Sequence, residues 1–218
     1  MEIGRDGGCL HLALSACAVT RSEIAVPTQS AKQPDSGAVV VVTPPVDARR
    51  FEAAPESPST PSLKMADQIH DPQITSRALA RKRNGYGMAM GDVLLNPPQT
   101  ASTLVGHAVK AGLRDAGHRV VDANDPAAAS APRVNVRIEE FWTWITPGFA
   151  QIKLDNGTNL TLDGTLPGLS PGAKFNVHES KGYFAITESE WAPFIDSALA
   201  KVREQVRALV SPKTAALR

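Results

Sequence analysis

Apolar residues fall along this chain in three kinds of run, and each kind predicts a different element. The first is continuous: Ala38-Val39-Val40-Val41-Val42-Thr43 is almost entirely β-branched and stops at Pro44-Pro45, the pattern of a strand buried on both faces or at a sheet centre. The second recurs every three to four residues. Thr100 or Ser102 caps a helix after Pro97-Pro98, with an apolar stripe of Leu104, Val105, Ala108, Val109, Ala111 and Leu113 and an end at Gly117, where glycine takes the left-handed C′ position. A second amphipathic helix opens at Thr187 with Glu190 completing a capping box, and Trp191, Ile195, Ala198, Leu199, Val202, Val206 and Leu209 line one of its faces. The third kind alternates. Val134, Val136, Ile138, Trp142 and Trp144 share one parity, with Glu140 as the exception, so one strand face is expected to carry all five apolar side chains. Thr146-Pro147-Gly148-Phe149 predicts a type II turn that returns the chain antiparallel through Ile152, Leu154, Leu160 and Leu162. Asp155-Asn156-Gly157 reads either as a hairpin turn in its own right or as a bulge in one long strand. Arg119-Val120-Val121-Asp122 and the stretch from Lys174 to Phe184 add strands, and Asp71-Pro72 opens a short helix before Gly85 and Gly87 break the pattern.

The order strand, helix, several strands, helix predicts an α+β domain, a mostly antiparallel sheet with the two long helices packed on one face. Proline changes the picture at the front of the chain. Of 218 residues, 17 are proline, and they crowd the stretch from Pro27 to Pro72, where no sustained apolar period supports a core. The expected organisation is therefore a signal peptide over 1–16, a flexible tether over 17–37, and one α+β domain over 38–211. A Pro-rich loop occupies about 51–72 within that domain, and residues 212–218 form a tail. A formal net charge of +1 provides no global field for nucleic acid, so no nucleic-acid partner is expected. No stretch approaches the ~20 apolar residues that a spanning helix needs, so any membrane attachment must be of another kind.

Leu10-His11-Leu12-Ala13-Leu14-Ser15-Ala16-Cys17 is a short apolar run that closes on small residues and a cysteine. Leu14-Ser15-Ala16-Cys17 resembles the lipobox of bacterial lipoproteins. That likeness implies cleavage before Cys17, diacylglycerol on its sulfur and a further acyl group on the new amino terminus. At ~0.8 kcal/mol per buried methylene, two or more such chains anchor a protein stably. Ala18 rather than Asp after the cysteine implies export to the outer membrane, on its periplasmic face. The start departs from the usual signal peptide, because Glu2, Arg5 and Asp6 sum to negative charge. Cys9 fits no lipobox, so after cleavage no thiol, disulfide or cysteine-bearing metal site remains.

Further motifs run in a fixed order: an early strand followed by Asp47-Ala48-Arg49, then Lys82-Arg83-Asn84-Gly85-Tyr86-Gly87-Met88 before the first long helix, then Phe141-Trp142-Thr143-Trp144 leading into Pro147-Gly148-Phe149. With the lipobox, this order resembles the YajG-type bacterial lipoproteins. The resemblance runs from about Cys17 to the final helix and departs from that family in the proline-rich insertion between Phe51 and Pro72. It implies an envelope lipoprotein without assigned catalysis.

Candidate binding residues follow from these motifs. Asp47 and Arg49 read as an ion pair beside a buried strand or as a ligand contact. Lys82 and Arg83, with Arg77 and Arg81, read as a solvated basic face or as a contact for anionic head groups or cell-wall polymer. Tyr86 is either a recognition aromatic or packing over a tight turn. Trp142 and Trp144 form either core or a stacking platform for sugar rings or a protein partner. His178-Glu179-Ser180 holds the residue types of a hydrolase triad, but consecutive strand residues point to opposite faces. No histidine has zinc-ligand spacing on a helix, and no phosphate loop, dinucleotide fingerprint or nucleophile elbow is present. The expectation is a non-enzymatic envelope lipoprotein without cofactor or metal, whose domain binds an envelope protein or a cell-wall component such as peptidoglycan. Two alternatives stand beside it. One is a lipid-binding accessory of an envelope transporter, with a groove between sheet and helices. The other is a soluble envelope hydrolase using Ser180, or the acidic pair Glu139 and Asp163.

Overall fold

In the computed structural model, which describes residues 21–84, 88–169 and 172–211, one strand organises the rest. That strand, β7 (Arg133–Thr146), pairs antiparallel with β8 (Ile152–Gly164) along almost its whole length. Its other edge is shared in succession by β2 (Val39–Val42), β3 (Val46–Asp47) and β4 (Ala78–Arg83), all parallel to it. Pro44 and Pro45 lack the N–H groups a ladder needs, so β2 ends there and pairing resumes at Val46. Beyond β2 lies β6 (Arg119–Val121). Beyond β4 lie β5 (Ala89–Leu95) and then β1 (Ser22–Ile24), and beyond β8 lies β9 (Ala173–Tyr183).

The sheet is mixed rather than mostly antiparallel as expected. Five of its pairings are parallel, and only β4 with β5, β7 with β8 and β8 with β9 are antiparallel. The parallel strands are joined by long connections through helix or loop, the kind of crossover that parallel pairing requires. Strand pairing depends on partners far away in the chain, and the local pattern does not encode it.

Both long helices, α2 (Ala101–Asp115) and α3 (Glu188–Val210), lie on one face, as the periodicity predicts. Thr100 accepts from the Thr103 N–H at 3.1 Å, and Gly117 closes α2 with φ +89°. The Glu190 carboxylate accepts from the Thr187 N–H at 2.6 Å. Leu104, Val105, Val109 and Leu113 of α2 and Trp191, Ile195, Leu199 and Val202 of α3 are fully enclosed against Val134, Val136, Ile138, Leu160 and Leu162 of the sheet. The interface between helices and sheet is filled with side chains there, which leaves no acyl-sized groove among them.

A β-bulge overturns the expected single apolar face of β7. Ile138 stands opposite Leu160 but Glu140 opposite Asn159, so Glu139 is an extra residue and the side-chain parity reverses after it. Phe141 therefore continues the helix-side core, while Trp142 turns to the opposite face. There it joins Leu63, Ala78 and Leu94, with Phe51, Ile69, Ile74 and Trp144 packed around them. The Pro-rich stretch supplies several of these residues, including the fully buried Leu63. It is a second covering layer over the sheet, not the coreless loop expected over 51–72. A 3-10 turn at Ala66–His70 and the short α1 (Pro72–Thr75), capped by Asp71 accepting from Gln73 N–H at 2.8 Å, complete that layer.

The tether expected over 17–37 is likewise corrected where it is described. Residues 22–24 are a strand, Ile24 and Val26 lie in the main core, and Gln29 donates to Asp196 at 2.6 Å. Gln33 donates to the Val120 carbonyl at 2.7 Å and accepts from Arg114 at 2.8 Å. At Asp155-Asn156-Gly157 there is no turn, and β8 runs straight through. Gly157 is there for space: a Cβ on it would sit 2.9 Å from Glu140 Cδ and 3.3 Å from Trp144 Cζ3. The reversal after β7 is an open five-residue connection over 147–151, not a type II turn. Gly148 lacks the positive φ that such a turn requires at its third residue. Cys9, Cys17, the signal peptide, Tyr86 and the expected tail over 212–218 lie outside the described residues.

Candidate functional site

Arg49 sits where the partner of β7 changes from β3 to β4. Between Ile138, opposite Asp47, and Thr143, opposite Ala80, the edge of β7 has no strand beside it. The fully enclosed Arg49 guanidinium fills that gap. Its Nη1 donates to the carbonyls of Ala78 at 2.7 Å and Phe141 at 3.2 Å, and its Nη2 to Thr75 at 2.8 Å and to Asp47 Oδ2 at 2.8 Å. Nε donates to Asp47 Oδ1 at 2.8 Å. All five guanidinium donors are then engaged, so Arg49 has none left for a ligand, and the geometry is that of a structural ion pair.

Lys82 is buried, and its ammonium contacts the Ser22 hydroxyl and the Glu188 carboxylate, tying β1 and β4 to α3. Arg77 pairs with Glu23 at 3.0 Å and donates to the Leu95 carbonyl at 2.8 Å. Lys82 and Arg77 of the basic run are thus held by separate partners. Arg83 is half-buried at the end of β4, where burial and then the neighbouring Arg81 lower its pKa. With Asn84 it lines shallow cavities of about 230 and 210 Å³ beside Ile145 and Pro147.

The two tryptophans separate in role. Trp142 is buried, and its indole N–H donates to the Pro58 carbonyl at 3.3 Å, which removes it as a stacking platform. Trp144 is half-buried, and its ring stands 6.0 Å from that of the exposed His178. His178 Nε2 lies 3.6 Å from Asp155 Oδ1, and Asp155 also accepts from Thr146 at 2.6 Å. Glu140 completes the group: it accepts from the Asn159 amide, and burial raises its pKa while His178 and Asn159 pull it down. Glu140, Trp144, Asp155, Asn159 and His178 thus surround Gly157 on the sheet face away from the helices. Sequence reasoning reached Trp144, and His178 only as part of a triad, but did not join them to Glu140, Asp155 or Asn159; the one local signal was the misfit of Glu140 in the strand pattern.

The consecutive triad does not assemble, although Ser180, opposite Asp155, shares a sheet face with His178. Glu179 turns toward α3, where it accepts from Ser197 at 3.3 Å and pairs with Lys201, while His178 faces the other way. Asp163 stands opposite Asn135 and accepts from its amide at 2.8 Å, whereas Glu139 lies at the bulge and accepts from Thr161 at 3.2 Å. Each carboxylate is thus exposed and held by its own partner, Glu139 by Thr161 and Asp163 by Asn135, with no hydrogen bond described between the two. Among the described residues no group of His, Cys, Asp and Glu is placed to hold a metal, and no helix is long and apolar enough to cross a membrane. The largest cavity described, about 330 Å³, lies between Val42-Thr43-Pro44-Pro45 and the amino-terminal half of α2, with Lys110 and Asp122 3.7 Å apart on its rim.

No family model matches this sequence, so the YajG resemblance remains one of motifs, and no curated protein matches it either. Solved structures show distant likeness. One is an uncharacterised protein with 10% identity and a TM-score of 0.48, covering 87% of this chain and 97% of its own. Another is protein XCC0632 from Xanthomonas campestris, a DUF330 protein, with 13% identity and a TM-score of 0.47, covering 85% and 91%. A minor lipoprotein from Acinetobacter baumannii has 14% identity and a TM-score of 0.31, covering 48% of this chain and 81% of its own. What the chain's own geometry defines is an α+β domain with a mixed, two-faced sheet.

Proposed function

We propose that this chain is a non-catalytic envelope lipoprotein, acylated at Cys17, on the periplasmic face of the outer membrane. Its domain binds an envelope protein or cell-wall component. The observation that carries the reading is the distance along the chain between the lipobox cysteine and the fold. Arg21, four residues after Cys17, is already held by Asp92 at 2.9 Å, so the acyl anchor and the domain are almost contiguous. With two or more acyl chains, such an anchor is stable and the domain stays at the bilayer surface. The group around Trp144 supplies an aromatic face flanked by carboxylates, an amide and an imidazole. That chemistry suits a polar ligand that stacks and hydrogen-bonds, as a cell-wall sugar does. The filled interface between sheet and helices weighs against the lipid-carrier alternative.

The test is metabolic labelling with palmitate in a bacterial host, comparing the wild-type chain with Cys17→Ala. Label should enter the wild type, survive delipidating washes and disappear in the variant. An unlabelled wild-type chain recovered from the soluble fraction defeats the proposal.

A further inference from the structure

Three large apolar side chains that the fold leaves uncovered lie at one end of the sheet. Phe149, in the connection from β7 to β8, and Phe184, directly after β9, are 110% and 87% exposed relative to an extended chain, and Met88 is 60% exposed. Register places them together. Tyr183 stands opposite Ile152, so the residues that follow β9 emerge beside the residues that precede β8. Met88 joins the same end, because β4 runs parallel to β7 and Asn84, which exchanges hydrogen bonds with Met88 at 3.0 Å, lines a cavity with Ile145, Pro147, Ile152 and Ile186. Single exposed apolar residues are ordinary, but a group of them on one tip marks a surface that meets something apolar. The exposed Lys153 and Lys181 stand just behind the tip, where long amphipathic stems let ammonium groups sit at head-group level.

The path of the chain identifies the occupant. β1 is parallel to β5, which runs away from that tip, so the chain enters the domain from the tip side. Ser22 stands opposite Val93, Val93 opposite Ala80, and Ala80 opposite Thr143, three residues before β7 ends. The level of Ser22 is therefore roughly 10 Å behind the end of β7. Cys17 precedes Ser22 by five residues, a reach of at most about 18 Å. Whatever path residues 17–20 take, an acyl group on Cys17 holds the domain within that distance of the bilayer, and the tip is the end of the sheet that lies on that side.

We infer that the tip carrying Met88, Phe149 and Phe184 inserts into the interface of the leaflet that holds the acyl anchor, which orients the domain with Met88 and the β7–β8 connection toward the lipid. The inference rests on acylation at Cys17. The mature lipoprotein, whose acylated Cys17 is blocked, receives a single cysteine in place of Phe149, labelled with an environment-sensitive fluorophore and reconstituted into phosphatidylethanolamine and phosphatidylglycerol vesicles. Lys174→Cys, at the opposite end of β9, is the control position. Expected is a blue-shifted emission at position 149 and several-fold stronger quenching by a nitroxide carried on the lipid than at position 174. A Phe184→Glu substitution added to the labelled protein should reduce that quenching while the protein still floats with the vesicles. Flotation with equal, weak quenching at both positions overturns the tip assignment and leaves the anchor intact. A protein that fails to float and carries a free thiol at Cys17 overturns the anchor and the tip together.

Discussion

Replacing Arg49 by methionine tests whether the Asp47–Arg49 pair is a structural plug or a ligand contact. The substitution keeps the aliphatic volume and removes five donors. It strands the carbonyls of Ala78, Phe141 and Thr75 and leaves Asp47, about a quarter exposed, without its countercharge. Removing one member of a buried ion pair costs about 3–5 kcal/mol, and a stranded buried carbonyl about 1–3 kcal/mol more. Water entering the opened gap and the partial exposure of Asp47 return part of this, so the net loss should be about 4–5 kcal/mol. That is a large share of the 5–15 kcal/mol that typically holds a domain together. In urea, at an m-value of about 2–3 kcal/mol/M, the midpoint should fall by about 2 M. Arg49→Lys should lie in between, since an ammonium has three donors where the site uses five. Adding Asp47→Asn to Arg49→Met should recover roughly 1–2 kcal/mol, because the uncompensated charge goes too. An Arg49→Met protein within about 1 kcal/mol of wild type, with an unchanged m-value, refutes the plug and returns Arg49 to the ligand-contact reading.

Two further outcomes follow from the packing around β7 and between the helices. Burial raises the pKa of Glu140, so the folded state holds this proton more tightly than the unfolded chain, whose glutamate titrates near 4.5. Stability from this group is complete below that value and is lost as pH rises through the raised folded pKa. Glu140→Gln should therefore melt higher than wild type at pH 8 and converge with it near pH 4; a variant that melts lower than wild type at pH 8 contradicts the assignment. At the crossing of α2 and α3, a Cβ on Gly112 would sit 2.5 Å from the Arg203 carbonyl and 2.9 Å from Val206 Cβ. Gly112→Ala should lower the urea midpoint by an amount equivalent to about 1–2 kcal/mol, although alanine favours the helix by about 1 kcal/mol. A stabilised variant would mean the helices can separate freely there.

The elements legible in the sequence are those whose signals are local. The stripe from Leu104 to Leu113, the cap at Thr187 with Glu190, and the β-branched run ending at Pro44 each specify their element within about fifteen residues. What stayed hidden is set by contacts across the chain. Ala78-Leu79-Ala80-Arg81-Lys82-Arg83 has little β-propensity and becomes a strand because β5 and β7 flank it. Ser22-Glu23-Ile24 is too short to register alone and is fixed by β5. Asn156-Gly157 has a hairpin's residues but lies mid-strand, where glycine makes room for Glu140 and Trp144. For the Asp47–Arg49 pair, the residue types pointed to charge pairing, but three of Arg49's acceptors are carbonyls 26 to 92 residues away.

The bulge at Glu139 shows how one extra residue decides what the sheet's second face can do. Were β7 regular, Trp142 and Trp144 would join Ile138 beneath the helices and Phe141 would face the other way. The insertion turns both tryptophans to the far side instead. There the Pro-rich layer covers Trp142 through Leu63 and Pro58, but its cover of Trp144 is only partial, beside Glu140, Asp155 and His178. The exception in the alternating pattern is thus the origin of the mixed aromatic and charged group around Gly157. The insertion and the partly open second layer are both needed to produce it. A regular strand would have left that face with Phe141 in place of the two tryptophans, and a longer Pro-rich layer would have hidden both.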